Sequence, residues 1–346
     1  MSRLLVFLHT EEEGKLGRTS FEALTAAREV CEALNWDDLI VVVIGAGADK
    51  ATAELSGFPA KQVVVLDAPE FSKPRYSTDS LAAYEIVTRF KPDVVVGPNT
   101  SRFQRALPGG IYRAGGKTDT HICAVFARDR QLFAKKWIYR QRIEVTFTRA
   151  SKPWGLLVEP GAFKPAKMST GSVTFEKIVI PIPEGLGRTA VLEVKGAISG
   201  VQTVRPDADL LFVAGAGWTK KQSDGQIHLK EAEELIKEFL ELTGASLGST
   251  KSLVDLSAEG AATLSFLTPL NQVGQTGSTP RHPRGLATCC HGEEPHTVGW
   301  RFINERRAIN LDPNCGWARG KADVLYVADA FAVIRKVNEL LRQLKK

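Results

Sequence analysis

The stretch LIVVVIG, residues 39–45, decides the fold of this chain, because it is an apolar run without the alternation of a half-exposed strand. Three more runs of this kind occur in the first hundred residues: RLLVFLH (3–9), KQVVVLD (61–67) and PDVVVGP (92–98). Stretches compatible with helices lie between them, at residues 19–35, 49–55 and 77–90, and Thr19 and Glu22 stand in capping-box spacing. Continuous Val/Ile strands joined by helices predict a parallel sheet covered on both faces.

The alternation of strands and helices pauses near residue 121 and resumes near residue 209. A β-rich portion with the strands HICAVFA, RIEVTFT and VTFEKIVIPI lies between. Later strands are DLLFVAGAG, RAINLD and ADVLYVAD, and the later helices cover residues 230–242, with Gly244 as C-cap, and 330–344. We therefore predict an α/β protein of two domains: residues 1–195, a parallel-sheet domain with a β-rich portion, and residues 205–346, a doubly wound domain.

The composition is that of a globular protein, with 43% apolar and 24% charged residues in a chain of 346. A net charge of +6 suits a nucleic acid, an anionic membrane or a phosphate-bearing cofactor. The basic residues between positions 281 and 321 are interleaved with Glu293, Glu294, Glu305 and Asp312, and no zinc-finger or ribonucleoprotein signature occurs. We therefore expect no nucleic-acid partner.

The odd number of cysteines, five, argues against a secreted disulfide framework and favours a reducing compartment. Only five consecutive apolar residues precede His9, too few for a signal peptide, and no run approaches the ~18 apolar residues of a membrane helix. We expect a cytoplasmic protein that does not span a membrane. A matrix-like compartment reached through a cleaved leader is the alternative that stays open.

The turn GAGADKA, residues 45–51, comes close to a dinucleotide-binding fingerprint. Lys50 stands where the fingerprint needs a third small residue, Ala51 comes one place later, and Asp67 ends the next strand, where a ribose-binding acid would lie. Because the small residue is out of register and the turn follows the second strand, we prefer a tight turn without a ligand. A nicotinamide-binding fold remains the alternative.

The segment TCCHGEEPH, residues 288–296, contains four candidate metal ligands, Cys289, Cys290, His291 and His296. Adjacent cysteines point to opposite sides of an extended chain, and the spacing matches no standard zinc module. We therefore predict that the cysteines end a buried strand. The chain has no P-loop, which argues against kinase-type chemistry.

The second domain carries a row of polar and glycine-rich turns after its apolar runs. They are VAGAG (213–217), STK (249–251), VGQTG (273–277), HGEEPH (291–296), INLD (309–312) and VAD (327–329). In an open α/β sheet such turns meet at the carboxyl edge, where backbone N–H groups and helix N-termini favour phosphate. So long a row predicts a large ligand that carries a diphosphate.

From about residue 210 onward, the order of these turns resembles the FAD-binding domain of the electron-transfer flavoprotein alpha subunit. The family signature V-G-Q-T-G is intact at residues 273–277. Gly292 and His296 match the family's S-G-A-I-Q-H loop, Asn310 matches the asparagine of A-I-N, and Asp329, after one inserted residue, matches the aspartate near the final helix. The first domain resembles that of the family more loosely, through its strand order and its FEALTAARE helix.

This resemblance implies roles for individual residues. Thr276 would hydrogen-bond the flavin N5, and His296 would lie beside the flavin O2, where a donor or a positive charge stabilises an anionic flavin. Lys251 stands in the place of the family's flavin-facing arginine and keeps its charge without the planar fork. At the phosphate and adenosine end the resemblance places Thr250, Asn310 and Asp329, and along the loops it places Gly217, Val273, Gly274, Gln275, His291, Gly292, Glu293, Glu294, Pro295 and Ala330.

Three departures distinguish the chain from the family pattern. The G-G-R-G turn reads Gly215, Ala216, Gly217, Trp218, without an arginine. The HGEEPH loop would bring two carboxylates near a diphosphate, and its proline removes one backbone donor. The segment between the STK and VGQTG turns is longer than in the family.

The resemblance implies an electron carrier rather than a substrate-converting enzyme: an alpha-type subunit whose FAD takes electrons from a flavoprotein dehydrogenase and passes them to a quinone-linked or other acceptor. It also implies a beta-type subunit that completes the flavin site and, as is common in the family, carries AMP. The resemblance further implies a flavin domain that swivels about residues 183–208. Two alternatives stay open. A flavin-free structural or regulatory subunit is motivated by Gly217, Pro295 and the Glu293/Glu294 pair, and a nicotinamide-dependent dehydrogenase rests on GAGADKA.

Overall fold

The computed structural model describes residues 2–11, 14–139, 141–193, 204–258, 263–274, 279–288, 299–314 and 316–344. The chain divides into two compact units, Met1–Gly196 and Ala197–Lys346. The first is built on a nine-stranded, mostly parallel sheet and the second on a five-stranded parallel sheet, counted over the described residues. The predicted fold class, an α/β protein of two domains, is confirmed.

The first sheet contains a parallel centre and an antiparallel extension. Its strands are β1 (Arg3–His9), β2 (Asp38–Ile44), β3 (Gln62–Leu66), β4 (Val94–Pro98), β5 (Lys117–Arg128), β6 (Gln131–Ile138), β7 (Ile143–Phe147), β8 (Trp154–Val158) and β9 (Glu176–Lys177). They lie in the order β7-β6-β5-β8-β4-β1-β2-β3-β9. Strands β5, β6 and β7 pair antiparallel, so the β-rich portion extends the first sheet. The predicted strand over residues 173–182 is wrong in extent, since only β9 forms there.

Helices cover both faces of the first sheet, as the continuous apolar strands predict. They are α1 (Arg18–Leu34), α2 (Ala48–Ala51), α3 (Tyr76–Phe90) and α4 (Ser101–Arg113). Leu4, Val6 and Leu8 pack into a core with α1, whereas Leu5 and Phe7 pack into a second core with α3 and α4. A sheet buried on both faces has no polar face, which is why β2 and β4 read as uninterrupted apolar runs.

The predicted capping box of α1 is wrong. The helix begins after Gly17, which has no side chain to act as a cap. The carboxylate of Glu22 is buried and accepts from the backbone N–H of Gly161 at 2.8 Å and from Arg18 Nε at 2.9 Å. Glu22 therefore makes a tertiary contact, whereas the spacing had predicted that it would cap the N-terminus of α1.

The second sheet is entirely parallel. Its strands are β10 (Leu210–Ala214), β11 (Ser246–Ser249), β12 (His282–Thr288), β13 (Ile303–Asn310) and β14 (Val324–Val327). They lie in the order β11-β10-β12-β13-β14. The helices of this unit are α5 (Leu229–Thr243), α6 (Lys251–Ala258), α7 (Gly316–Lys321) and α8 (Ala330–Leu344). The predicted C-cap Gly244 is confirmed, with φ of 67°. Among the described helices of both units, none is long and apolar enough to cross a membrane.

Candidate cofactor site

The order of strands creates a switch point in the second sheet between β10 and β12. From β10 the chain moves outward to β11, and it then crosses back to form β12 on the other side of β10. The connections that leave the carboxyl ends of β10 and β12 therefore diverge and leave a crevice between them. Open α/β sheets bind ligands at such a crevice, so the carboxyl edge of this sheet is the candidate site.

The first part of this edge is the end of β11, where Thr250 and Lys251 lie. The backbone N–H of Thr250 donates to Ala214 O at 2.9 Å, and the Thr250 hydroxyl accepts from Leu253 N at 3.4 Å as the cap of α6. Lys251 is exposed, and its Nζ lies 2.7 Å from Asp255 Oδ2. The hydrogen bond that Lys251 donates to Asp255 raises the pKa of Lys251, so the cation at this position is already paired with a carboxylate.

The segment that carries the start of VGQTG lies beside the end of β11. Asn271 is fully buried and donates from Nδ2 to Leu247 O at 3.2 Å. Val273 N donates to Ser249 O at 3.0 Å, and its side chain lies so close to Gly248 that a Cβ there would come within 2.5 Å of it. Gly274 adopts φ of 86°, a conformation that favours glycine, and donates from its N–H to Thr279 Oγ1 at 2.7 Å.

Asn310 and Asp329 lie at the ends of the two adjacent strands β13 and β14. Asn310 is 1% exposed, its Oδ1 accepts from Asp312 N at 2.9 Å, and its Nδ2 has no acceptor among the described residues. Asp329 caps α8, because its Oδ1 accepts from Phe331 N at 3.0 Å. A buried amide donor without a partner costs about 1–3 kcal/mol, so Asn310 marks a place where an acceptor on a ligand would be favourable.

The turn after β10 contains Gly217 and Trp218, at the place of the family's G-G-R-G. Gly217 O accepts from Gln222 Nε2 at 3.0 Å, which closes the turn. The Trp218 indole is fully buried, packs against Phe331 with a centroid distance of 4.5 Å and donates from Nε1 to Thr288 Oγ1 at 2.7 Å. From the sequence, Trp218 was recognised only as a departure from the family pattern. Apart from its aromatic side chain, nothing in the sequence predicted that it lies in the core.

The structure brings together, at one carboxyl edge, all of the predicted site residues that it describes: Gly217, Thr250, Lys251, Val273, Gly274, Asn310, Asp329 and Ala330. The others lie outside the described residues: Gln275, Thr276, His291, Gly292, Glu293, Glu294, Pro295 and His296, together with Cys289 and Cys290 of the metal hypothesis. Within the described ranges, no group of three or more His, Cys, Asp or Glu side chains is arranged to hold a metal ion.

The glycines of GAGADKA have a steric reason to be there. Gly45 has φ of 135°, and a Cβ on it would lie 2.1 Å from Thr10 Oγ1. Gly47 has φ of 68°, and a Cβ on it would lie 3.2 Å from the Cα of Gly14. Close packing of the turn against the end of β1 therefore accounts for both glycines without a nucleotide.

The first sheet also has a switch point, between β1 and β4, and the protein's own side chains occupy it. His9 is buried there, with Nε2 2.8 Å from Thr100 Oγ1 and its ring edge-on to Phe103 at a centroid distance of 4.8 Å. Burial lowers the pKa of His9 to about 4, so the ring is neutral at pH 7. In the second sheet, by contrast, the Nδ2 donor of Asn310 at the end of β13 has no acceptor among the described residues.

Comparison with known proteins places these observations in a family context. A profile of the electron transfer flavoprotein domain matches residues 4–182, which is more than half of the chain. The electron transfer flavoprotein subunit alpha of Thermoanaerobacterium thermosaccharolyticum is 25% identical over 345 residues, 97% of this chain and 96% of that protein. The subunit of the same name from Clostridium acetobutylicum is 23% identical over 350 residues, 96% of this chain and 93% of its own. The acryloyl-CoA reductase electron transfer subunit beta of Anaerotignum propionicum is 31% identical over 332 residues, 87% of this chain and 86% of that protein.

Proposed function

This chain belongs to the electron transfer flavoprotein family as a divergent relative of its alpha subunits, and from that premise we propose that it holds FAD at the carboxyl edge of its second sheet and shuttles electrons between protein partners. The observation that carries this proposal is the Asn310 amide, buried at the end of β13 with a donor that no described residue accepts. A ligand rich in acceptor oxygens, such as the diphosphate and ribose of FAD, fits that donor.

The residues of the edge fit such a ligand in shape as well as in chemistry. Gly274 has no side chain and a left-handed backbone, which lets a ligand approach the main chain closely. Thr250 and Asp329 each follow a strand and cap a helix, so their loops present helix N-termini to the same edge. We propose that Gly217, Val273, Ala330 and the loop residues Gln275, Thr276 and 291–296 complete the contacts.

A bound flavin would supply reversible one- and two-electron chemistry, and the chain's own residues would hold it and set its potential. Thr276 would donate or accept at N5, and His296 would place a donor beside O2. Lys251, paired with Asp255, would contribute a weaker field than a free cation. No substrate is converted in this proposal; the protein acts as an electron carrier.

We propose a beta-type subunit as the obligate partner, since alpha-type relatives are named as subunits. That subunit would complete the flavin site and would carry AMP. The electron donor would be a flavoprotein dehydrogenase, the acceptor a quinone-linked or other redox protein, and the compartment the cytoplasm. The predicted hinge over residues 183–208 stays a prediction, because residues 194–203 lie outside the described residues.

A flavin-free structural subunit is the second candidate, and two observations favour it. Trp218 fills the core beside the turn where the family has a flavin-contacting arginine one residue earlier, and Lys251 is paired with Asp255. Gly217, in the place of that arginine, carries no charge, and the charge of Lys251 is offset by a carboxylate, so less positive charge is left to face the ligand. The two candidates differ in one measurable property, bound flavin.

The deciding experiment is the visible spectrum of the chain co-purified with its beta-type subunit, followed by stepwise reduction. We expect flavin bands near ~450 nm that bleach reversibly. Thr276→Ala and His296→Ala should lower the flavin content, whereas Thr243→Ala, at the end of α5, should leave it unchanged. A colourless, well-folded complex would contradict the proposal of an electron carrier and would favour the flavin-free structural subunit.

A further inference from the structure

One buried side chain of the second unit, His282, lies between two backbone segments that are far apart in sequence. His282 begins β12 and is 0% exposed. Its Nε2 lies 2.8 Å from the carbonyl oxygen of Arg205, and its Nδ1 lies 2.9 Å from the carbonyl oxygen of Pro280. The ring therefore fills the space between the chain that enters the second unit and the chain that leaves the VGQTG loop.

The entering segment is anchored at Arg205. Its backbone N–H donates to Ser246 Oγ at 2.8 Å, and its guanidinium donates to Gly244 O at 2.6 Å. The neighbouring Val204 is buried and packs in the core that contains Val273. Arg205 is therefore fixed to the turn between α5 and β11 by its own side chain and backbone, and its carbonyl is left for His282.

The second segment follows the VGQTG loop. Gly274 N donates to Thr279 Oγ1 at 2.7 Å, so the loop is closed at its base between these two residues. Pro280 comes directly after Thr279, and its carbonyl faces His282 Nδ1. The position of Thr279, and with it the base of the loop, thus depends on where His282 holds Pro280.

We infer that His282 is a positioning residue for the flavin: it holds the base of the VGQTG loop in a fixed position relative to Arg205, near the start of the second unit. The effect on flavin rests on the proposed function, whereas the contacts that His282 makes with the chain do not depend on it. A five-membered ring with nitrogens on opposite sides contacts two carbonyl groups at once. Phenylalanine fills similar space but donates to neither carbonyl.

The protonation state of His282 decides to how many of the two carbonyl groups the ring can donate. A neutral imidazole donates to one carbonyl only, and an imidazolium donates to both. Burial lowers the pKa of His282, while the carbonyls of Arg205 and Pro280 and the charge of Asp207 act in the opposite direction. The ring lies between the two segments, so its removal should affect both.

The test is hydrogen exchange of the full chain in complex with its beta-type subunit, read at the amides of Arg205 and Gly274. Both amides are hydrogen-bonded, and His282→Phe should accelerate the exchange of both by about tenfold through local opening. His282→Asn, which keeps one donor of a smaller side chain, should accelerate one amide more than the other. The matched control is His9→Phe, a buried histidine of the first unit, which should leave both amides unchanged.

The flavin readout separates positioning from general destabilisation. We expect His282→Phe to raise the dissociation constant of FAD about tenfold and to shift its reduction potential, with unfolding of the second sheet little changed. Unchanged exchange at either amide, or equal acceleration throughout the second sheet, would overturn the inference. If the wild-type complex holds no flavin, the proposed function fails, and the exchange measurement still decides whether His282 positions the loop.

Discussion

The indole nitrogen of Trp218 lies 2.7 Å from the hydroxyl oxygen of Thr288, and this hydrogen bond joins the turn after β10 to the last residue of β12. The Thr288 hydroxyl in turn donates to Val213 O at 3.2 Å, and the Thr288 carbonyl accepts from Gly215 N at 3.0 Å. The two strands on either side of the switch point are thus joined at their carboxyl ends. These bonds tie the turn after β10 to the end of β12 at the carboxyl edge of the sheet.

Replacement of Trp218 should destabilise the second unit through two separate effects. Trp218→Phe should lower the free energy of unfolding by about 1–3 kcal/mol, because it removes the N–H donor and leaves a small cavity. Trp218→Ala should lower it by about 3–5 kcal/mol, because the larger cavity beside Phe331 is not refilled. Urea unfolding measures both, and the double variant Trp218→Phe/Thr288→Val tests the pair. Purely additive losses in that variant would contradict a coupled hydrogen bond.

Asn310→Asp should weaken flavin binding without loss of the fold. The carboxylate keeps the acceptor for Asp312 N but replaces the buried donor by a negative charge near the proposed diphosphate. We expect the dissociation constant of FAD to rise by about 10- to 100-fold, or about 1.4–2.8 kcal/mol. Retention of flavin after desalting, read by absorbance, measures the change.

Asn338→Asp is the matched control for that variant. Asn338 is also buried, and its Nδ2 donates to Leu235 O at 3.0 Å and to Glu238 Oε2 at 3.1 Å within the α5 and α8 pair. Its replacement should lower stability more than Asn310→Asp does, because two made bonds are lost, and should leave flavin affinity unchanged. Equal effects of the two variants on flavin would remove Asn310 from the site.

The first unit depends on the buried ion pair of Arg102 and Asp79. Arg102 Nε and Nη2 each lie 2.8 Å from one carboxylate oxygen of Asp79, and Nη2 also donates to Phe71 O at 2.8 Å. Arg102→Met should cost about 3–5 kcal/mol, because it leaves Asp79 buried without a partner. The double variant Arg102→Met/Asp79→Leu should recover most of this loss in urea unfolding. A double variant as unstable as the single one would argue against the ion pair as the cause.

His9 should make the first unit less stable in acid. Burial lowers its pKa from 6.5 to about 4, so the folded state binds fewer protons than the unfolded state as the pH falls between these values. The wild type should therefore lose about 2 kcal/mol more than His9→Gln between pH 7.5 and pH 5. Amide exchange of Arg3–His9 at both pH values measures the difference. Parallel pH profiles of the two proteins would contradict the neutral, buried ring.

The parallel strands β1 to β4 were predictable because burial on both faces leaves only apolar side chains, and that pattern is local in sequence. Helix α4 was not predicted, because it contains Pro108 followed by Gly109 and Gly110. A Cβ on Gly110 would lie 2.5 Å from the Cβ of Ala83, so contact with α3 requires the glycine inside the helix. Helix propensity, which argues against glycine here, is outweighed by packing between helices.

The candidate site was likewise predictable only in part from the sequence. The order of its turns was readable from the sequence, because each turn follows an apolar run and parallel strands end at one edge. That the Asn310 Nδ2 donor meets no acceptor among the described residues was not readable, because its partners depend on which groups the fold brings near it. The buried place of Trp218 was likewise invisible, since nothing next to it in sequence identifies Thr288 or Phe331 as its neighbours.

Features that arise from neighbours in the chain follow from the sequence: the buried strands, the helix end at Gly244 and the succession of loops in the second unit. Features that join distant residues required the folded chain. The sequence separates Arg205 from His282, and Val273 from Ser249, by segments whose path is set by strand order. Residue type limits what a side chain can bind, but which partner it meets depends on the summed packing of the two sheets, and no single segment contains that information.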